Sequence, residues 1–251
     1  MPANSWGAMI QKHAKFLSLN TLPLIYAELS EKAAKTNLSY DEFLALILEA
    51  EVNKKTERSV QRRVGGAKFP FLKTLEEFDF SFQPSLPEKE LIRLGTLDFV
   101  DKKENILLLG PPGVGKSHLA VALGVKACQA RLRIHFTTAQ ALIKDLAVAE
   151  KDGSLVDKLA YFSRLHLLVI DEMGYMPISN HEANLLFQLI SIRYEKGSII
   201  LTSNFNFDQW GSFFSDTIVA SAIIDRLVHH AHIFFVNGAS YRLKNKLKKA
   251  A

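Results

Sequence analysis

Cysteine is nearly absent from this chain: among 251 residues, Cys128 is the one thiol. A lone thiol excludes an internal disulfide framework and fits a reducing, cytoplasmic setting. Lying in a helical run, Cys128 reads as a small buried hydrophobe. Long apolar runs are missing too. No segment reaches the ~18 uninterrupted apolar residues of a membrane span, and the first residues lack the zones of a signal peptide. A cytoplasmic protein with no membrane contact is expected. Internal repeats, low-complexity tracts, a helix-turn-helix and a zinc motif are also lacking. Any nucleic-acid binding is therefore expected to be driven by the phosphate backbone, with little base readout. What is present is 48% hydrophobic residues, ample for a core in one large domain or two unequal ones.

The apolar segment Asn105-Ile106-Leu107-Leu108-Leu109 runs into Gly110-Pro111-Pro112-Gly113-Val114-Gly115-Lys116-Ser117, and His118-Leu119-Ala120-Val121-Ala122-Leu123 continues as a helix. Strand, glycine-rich loop and helix in that order are the context a phosphate-binding loop requires. Glycines let the backbone curl until several N–H groups face one anion, and the helix N-terminus adds its positive dipole end. Residues 110 to 118 are therefore the candidate nucleoside-triphosphate site. Lys116 would reach the β- and γ-phosphates, and the Ser117 hydroxyl would sit on Mg²⁺.

A second apolar run, Leu167-Leu168-Val169-Ile170, ends in Asp171-Glu172. It reads as a central strand of a parallel sheet. Acids at its carboxyl end lie where open α/β sheets bind ligands. Asp171 is the candidate to hold Mg²⁺ through water, and Glu172 the general base for an attacking water. A third strand, Ser198-Ile199-Ile200-Leu201-Thr202-Ser203-Asn204, brings an amide to the same crevice, where Asn204 can orient water without adding charge. Arg226 and Arg242 could stabilise charge on a transferring phosphoryl group, from the same or a neighbouring subunit. Spacing alone leaves either as a surface salt-bridge partner.

From about Leu86 onward strands and helices alternate, with a further strand expected over Arg133 to Phe136 and a helix opening at Thr137-Thr138-Ala139-Gln140. Residues 86–251 are accordingly expected to form an α/β domain on a parallel sheet. Residues 1–65 read as a helical domain without strands. One helix is expected near Leu22 to Lys35. Another is opened by the capping box of Ser39 and Glu42, with Phe43, Leu44, Ile47 and Leu48 as its apolar face. Between them, residues 66–85 interleave Phe69, Phe71, Phe78, Phe80 and Phe82 with Pro70 and Pro84, a linker strapped onto the core.

Net charge is +5, and its distribution is uneven. Lys54, Lys55, Arg58, Arg62 and Arg63, followed by Lys68 and Lys73, face only Glu57, which suits contacts to DNA phosphates. A second basic cluster, Arg242, Lys244, Lys246, Lys248 and Lys249, closes the chain. His229, His230 and His232 have no acidic or cysteine partner nearby in sequence and read as a solvent-facing helix end rather than a metal site.

In combination, the phosphate loop, Val169-Ile170-Asp171-Glu172, Thr202-Ser203-Asn204, Asp225-Arg226-Leu227 and Ser240-Tyr241-Arg242 resemble the AAA+ ATPases of the initiator and helicase-loader clade. Asp171-Glu172-Met173-Gly174-Tyr175 and Leu22-Pro23-Leu24-Ile25-Tyr26-Ala27-Glu28-Leu29 are similar to the IstB family, helper ATPases of insertion-sequence transposition. The resemblance runs from about residue 10 to residue 245. It implies an AAA+ core with a small all-α N-terminal domain, ATP and Mg²⁺ as ligands, Asn204 as sensor 1, Arg226 as an arginine finger acting on a neighbouring subunit, and Arg242 as sensor 2. It also implies a homo-oligomeric ring or spiral, double-stranded DNA and a transposase as partners, and Phe80 or its neighbours beside the adenine. Only nine residues follow Arg242, so the helical lid of broader AAA+ proteins is expected to be absent, a shortening shared by helicase loaders and IstB proteins. A DnaC-like replicative helicase loader, acting on a helicase and single-stranded DNA, is the alternative. A small-molecule kinase with the same loop would need a substrate lid and no bridging arginine.

Overall fold

Five strands form a single parallel sheet in the computed structural model, which describes residues 4–242. They are β1 (Asn105–Leu109), β2 (Ile134–Thr138), β3 (Leu167–Met173), β4 (Ser198–Ser203) and β5 (Ala231–Phe235), in the order β2-β3-β4-β1-β5. Every neighbouring pair is parallel. The apolar runs of β1 and β3 have no polar positions because both sheet faces are covered. Ile106, Leu108, Leu167 and Val169 belong to one core, and Leu107, Leu168 and Ile170 to the other. Strand side chains alternate between faces, so a continuous run supplies both cores at once. Each fully buried Leu or Ile contributes about 1.5–3 kcal/mol of transfer free energy.

The first core is closed by α6 (Lys116–Gln129), whose Leu119, Ala120, Val121, Ala122, Leu123, Ala127 and Cys128 are all buried. Burial pushes the Cys128 thiol up to about 11, which makes it an inert apolar filler. The second core is closed by α7 (Ala139–Lys151), α8 (Leu155–Ser163), α9 (Asn180–Arg193), α10 (Phe207–Phe213) and α11 (Thr217–Val228). Two buried polar side chains tie the sheet to these helices. Asn105 accepts from Ile199 N–H at 2.9 Å and donates to Leu227 O at 3.0 Å, so the start of β1 is tied to β4 and α11. Arg193, without an acidic partner among the described residues, donates to the carbonyls of Phe162, Leu165 and Ser198, joining the α8–β3 turn to the start of β4.

Ahead of the sheet lie α4 (Glu88–Leu94) and α5 (Asp98–Asp101). The preceding segment, from Ala67 to Leu86, is laid onto the sheet unit. Ala67, Leu75, Phe78 and Leu86 are buried in the first core. Ala67 O accepts the Phe136 N–H at 2.7 Å, so this backbone also caps the edge strand β2. The Phe69 ring lies edge-on to Phe136, with centroids 6.0 Å apart.

The chain divides into two compact units, residues 1–62 and 63–251. The first holds α1 (Asn4–Phe16), α2 (Leu22–Thr36) and all but the last turn of α3 (Tyr40–Gly66). Ser39 and Glu42 form the expected capping box, with Ser39 N–H on the Glu42 carboxylate at 2.8 Å and Glu42 N–H on Ser39 Oγ at 3.2 Å. The start of α2 is capped from a distance. Glu51, buried on α3, accepts from the N–H groups of Asn20, Thr21 and Leu22 at 3.1, 2.7 and 2.9 Å. Among the described residues, no helix is long and apolar enough to cross a membrane.

Burial alone would raise the Glu51 pKa, but the donors from Leu22, Thr21 and Asn20 outweigh it and hold the group below 4.5. A depressed folded pKa means that this stabilisation is full above the ordinary carboxyl value and fades as pH falls through the lower one. Glu51→Gln should therefore loosen the start of α2 at pH 7 by about 2 kcal/mol. Amide hydrogen exchange at Thr21 and Leu22 should report it, and the difference from wild type should shrink below pH 4.5.

Candidate nucleotide site

The order of the sheet builds this site. Because β4 lies between β1 and β3, the glycine-rich loop, Asp171-Glu172 and Asn204 leave three adjacent strands at one end. This is the carboxyl edge, where open parallel sheets bind ligands.

Gly115 caps the N-terminus of α6 at φ 105°, and Gly113 stands at φ 84°, both left-handed conformations that glycine adopts without strain. Space imposes the same choice. A Cβ on Gly115 would fall 2.6 Å from the Phe78 ring, and one on Gly113 would fall 2.2 Å from Ser240 Oγ. The loop is thus clamped on one side by the aromatic strap and on the other by the segment after β5. Tyr241 N–H donates to Gly113 O at 2.9 Å, and Gln83 Nε2 donates to Ala239 O at 3.2 Å. Pro111 and Pro112 are exposed, and Val114 points into the core.

The Lys116 ammonium is buried and gathers three oxygen acceptors: Gly110 O at 2.6 Å, Pro111 O at 2.8 Å and Asn204 Oδ1 at 2.8 Å. Burial lowers its pKa to about 8. Asp171 and Glu172 oppose that shift, and the charge of Arg242 adds to it, so Arg242 acts electrostatically on the loop. His118 packs against the aromatic strap. One ring nitrogen lies 2.8 Å from Thr74 O, and the ring meets Phe78 edge-on.

Asp171 is buried at the end of β3. Its Oδ1 accepts from Ser117 Oγ at 2.9 Å and from the Thr202 hydroxyl. Thr202 also accepts the Glu172 N–H, at 3.0 Å. The β3–β4 register slips between Ile170 and Met173, and Glu172 stands at φ 61° with its side chain exposed. A bulge of this kind re-aims a side chain next to a site, and the left-handed backbone costs of order 1–3 kcal/mol unless its surroundings hold it. Thr202 is the group that holds it. Sequence reasoning gave Thr202 no role. The available signal was a hydroxyl within the buried strand Ser198-Ile199-Ile200-Leu201-Thr202-Ser203, a polar group that must find a partner.

The arrangement fits a nucleoside triphosphate with Mg²⁺. The Ser117 hydroxyl and the Asp171 carboxylate are hard oxygen donors, 2.9 Å apart beside the loop lysine, and would hold Mg²⁺. That ion would draw charge from the phosphate oxygens. Glu172 follows Asp171 with its side chain exposed, and Asn204 stands on Lys116 at the end of the strand between loop and acids. Arg226 lies elsewhere in its contacts: its guanidinium is 4.6 Å from the Phe187 ring centroid and donates to Ala222 O.

The basic residues of α3 divide. Lys54, Lys55 and Arg62 are exposed and, with Arg58, fall on successive turns, with Lys54 paired to Glu57 at 2.8 Å. Arg63 is half-buried, and its charge bears on Cys128 and His166. Of the second basic cluster, Lys244, Lys246, Lys248 and Lys249 lie outside the described residues. His229 and His230 are exposed at the end of α11, as expected, but they are not without acids. Glu195 approaches His229 and His230, while His232, on β5, pairs with Glu104 at 3.0 Å and Glu90 at 3.6 Å. Folding brings in the acids that sequence proximity did not show.

The model for IstB-like ATP-binding proteins matches residues 12–249. The putative ATP-binding protein of insertion sequence IS21 from Pseudomonas aeruginosa is 46% identical over 232 residues, covering 92% of this chain and 88% of that protein. Its counterpart from IS5376 of Geobacillus stearothermophilus is 44% identical, covering 94% of each. Among solved structures, AMPPCP-bound DnaA from Aquifex aeolicus superposes with a TM-score of 0.57 at 20% identity, over 72% of this chain and 56% of that one. The DnaC helicase loader superposes with a TM-score of 0.54 at 19% identity, over 70% of this chain and 99% of its own. These likenesses show the AAA+ fold.

Thr202→Val removes the hydroxyl that holds both acids and keeps the shape of the side chain. It should slow ATP hydrolysis about tenfold to a hundredfold, the kinetic equivalent of one lost buried hydrogen-bond partner. Thr202→Ser should restore most of the rate, and magnesium-free nucleotide binding should stay within a few-fold in both. Equal rates in the Val and wild-type proteins would show that Thr202 does not position the acids.

Proposed function

This chain belongs to the IstB-like ATP-binding family, and we propose that it is an ATPase that assembles on double-stranded DNA and regulates the transposase of an insertion sequence. The observation that carries the ATPase reading is the gathering of Lys116, Ser117, Asp171, Glu172 and Asn204 at one edge of three adjacent strands. Lys116 takes the β- and γ-phosphates, and Ser117 and Asp171 take the Mg²⁺. Glu172 accepts the proton of the attacking water, which Asn204 orients. Arg242, whose charge already bears on Lys116, completes the cationic side of the site as sensor 2.

Arg226 acts on the neighbouring subunit. Within its own chain it contacts Ala222 and Phe187, on α11 and α9. ATP then bridges copies, which form a ring or spiral on the duplex, and hydrolysis dismantles it. Lys54, Lys55, Arg58, Arg62 and Arg63 supply phosphate contacts. Phe80, tilted against Phe78 with ring centroids 4.8 Å apart, belongs to the strap that flanks the loop and is the candidate to meet the adenine. An insertion sequence moves by its transposase, so the transposase is the protein partner of this cycle. The likeness to the DnaC helicase loader favours a second reading, a loader acting on single strands and a helicase.

Binding to labelled duplex and single-stranded DNA, each with a non-hydrolysable ATP analogue, ADP or no nucleotide, tests the proposal. Cooperative duplex binding with the analogue alone is expected. A preference for single strands supports the loader, and no DNA binding in any state removes the DNA role. Glu172→Gln should keep nucleotide affinity, lower hydrolysis by about 10²-fold or more, and trap the duplex complex. Arg226→Ala and Lys116→Ala should each be inactive alone. Mixed, they should regain part of the activity, because each supplies what the other lacks; no recovery places Arg226 outside a shared site.

A further inference from the structure

Far along the chain from the phosphate loop, two turns meet on the surface of the sheet unit. One follows α9 and carries Tyr194 and Glu195. The other joins α11 to β5 and carries His229 and His230. One carboxylate oxygen of Glu195 and one ring nitrogen from each histidine lie within 4.8 Å of one another, and all three side chains are exposed. From this geometry we infer a divalent transition-metal site formed by Glu195, His229 and His230, with the fourth position open to water. This inference is independent of the ATPase reading.

Four observations support it. Two imidazoles and a carboxylate are a donor set suited to zinc-like ions and unsuited to Mg²⁺, which prefers oxygen alone. Donors about 2.0–2.1 Å from a tetrahedral ion stand about 3.4 Å apart. His230 Nε2 and Glu195 Oε1 are already 3.5 Å apart, and a ring nitrogen of His229 lies within 4.8 Å of both donor atoms. Next, the backbone under the donors is held. Asn105 N–H donates to His230 O at 2.7 Å, and His229 N–H donates to Asp225 O at 3.1 Å. Finally, His229 has an orienting partner. Tyr194 Oη lies 2.6 Å from His229 Nδ1, and the two rings stack at 5.8 Å. A hydrogen bond on one ring nitrogen is how a histidine that ligates through the other is commonly fixed. Glu195 itself stands at φ 58°, in the left-handed region. An ion here would join the α9–β4 turn to the end of α11, the helix that carries Arg226.

The test is uptake of zinc chloride by the full-length protein after removal of metals, without nucleotide, measured by chelator competition and by metal content after dialysis. One zinc per chain is expected. Removing a donor should cost at least what removing an orienting partner does, about tenfold, so His229→Ala, His230→Ala and Glu195→Gln should each weaken uptake by that factor or more. The triple variant should take up none. Tyr194→Phe, which removes no donor, should weaken uptake about tenfold. Cobalt in place of zinc should show the strong visible absorption of a tetrahedral ion. Thermal melts of the metal-free variants should match wild type, since all three donors are exposed. No zinc on the wild-type protein, undiminished zinc on the triple variant, or an unchanged affinity in Glu195→Gln overturns the site.

Discussion

The buried carboxylate of Asp171 is the point on which the site depends. A carboxylate taken out of water at the end of an apolar strand is costly unless its oxygens are satisfied. Here two hydroxyls satisfy it, Ser117 from the first turn of α6 and Thr202 from β4. These bonds do more than solvate a charge. They join the helix after the phosphate loop, the strand that bears the acids and the strand between them. The bulge that turns Glu172 outward is fixed by the same Thr202 hydroxyl.

Around that point the rest of the unit acts as a clamp. Lys116 sits on Gly110 O, Pro111 O and Asn204 Oδ1, so the end of β4 is tied directly to the loop. Phe78 covers Gly115, and the segment from Val236 to Tyr241 packs over Gly110 and Gly113. Low dielectric strengthens each of these contacts and makes an unpaired group expensive. A ligand that takes the Lys116 ammonium therefore also bears on Asn204. Arg193 and Asn105 serve the same sheet from the opposite end, with hydrogen bonds to carbonyls instead of ion pairs.

The N-terminal unit is organised by a different rule. Its helices bury little, with Phe16, Leu24 and Tyr40 strongly exposed. One buried carboxylate, Glu51, gathers the free N–H groups at the start of α2. Along the second half of α3, from Asn53 to Gly66, the charges are Lys54, Lys55, Arg58, Arg62 and Arg63 against Glu57, and long-range attraction to a polyanion requires no deep pocket.

Much of the site was legible in the amino-acid order because its physics is local. Glycines at 110, 113 and 115 and a lysine at 116 announce a phosphate loop wherever they follow a strand. Unbroken apolar runs in 106–109 and 167–170 can be satisfied only by a sheet covered on both faces. The Ser39–Glu42 cap was legible for the same reason, since its partners are three residues apart. Tertiary structure decided what depends on strands and helices meeting across long separations. Only the strand order sets β4 between β1 and β3, and with it Thr202 beside Asp171 and Asn204 on Lys116, while the packing of helices and turns sets Glu51 on the start of α2 and Glu195 beside His229 and His230. These are contacts between groups about 30 or more residues apart. Periodicity states which face a residue occupies, but not which distant residue it will meet there.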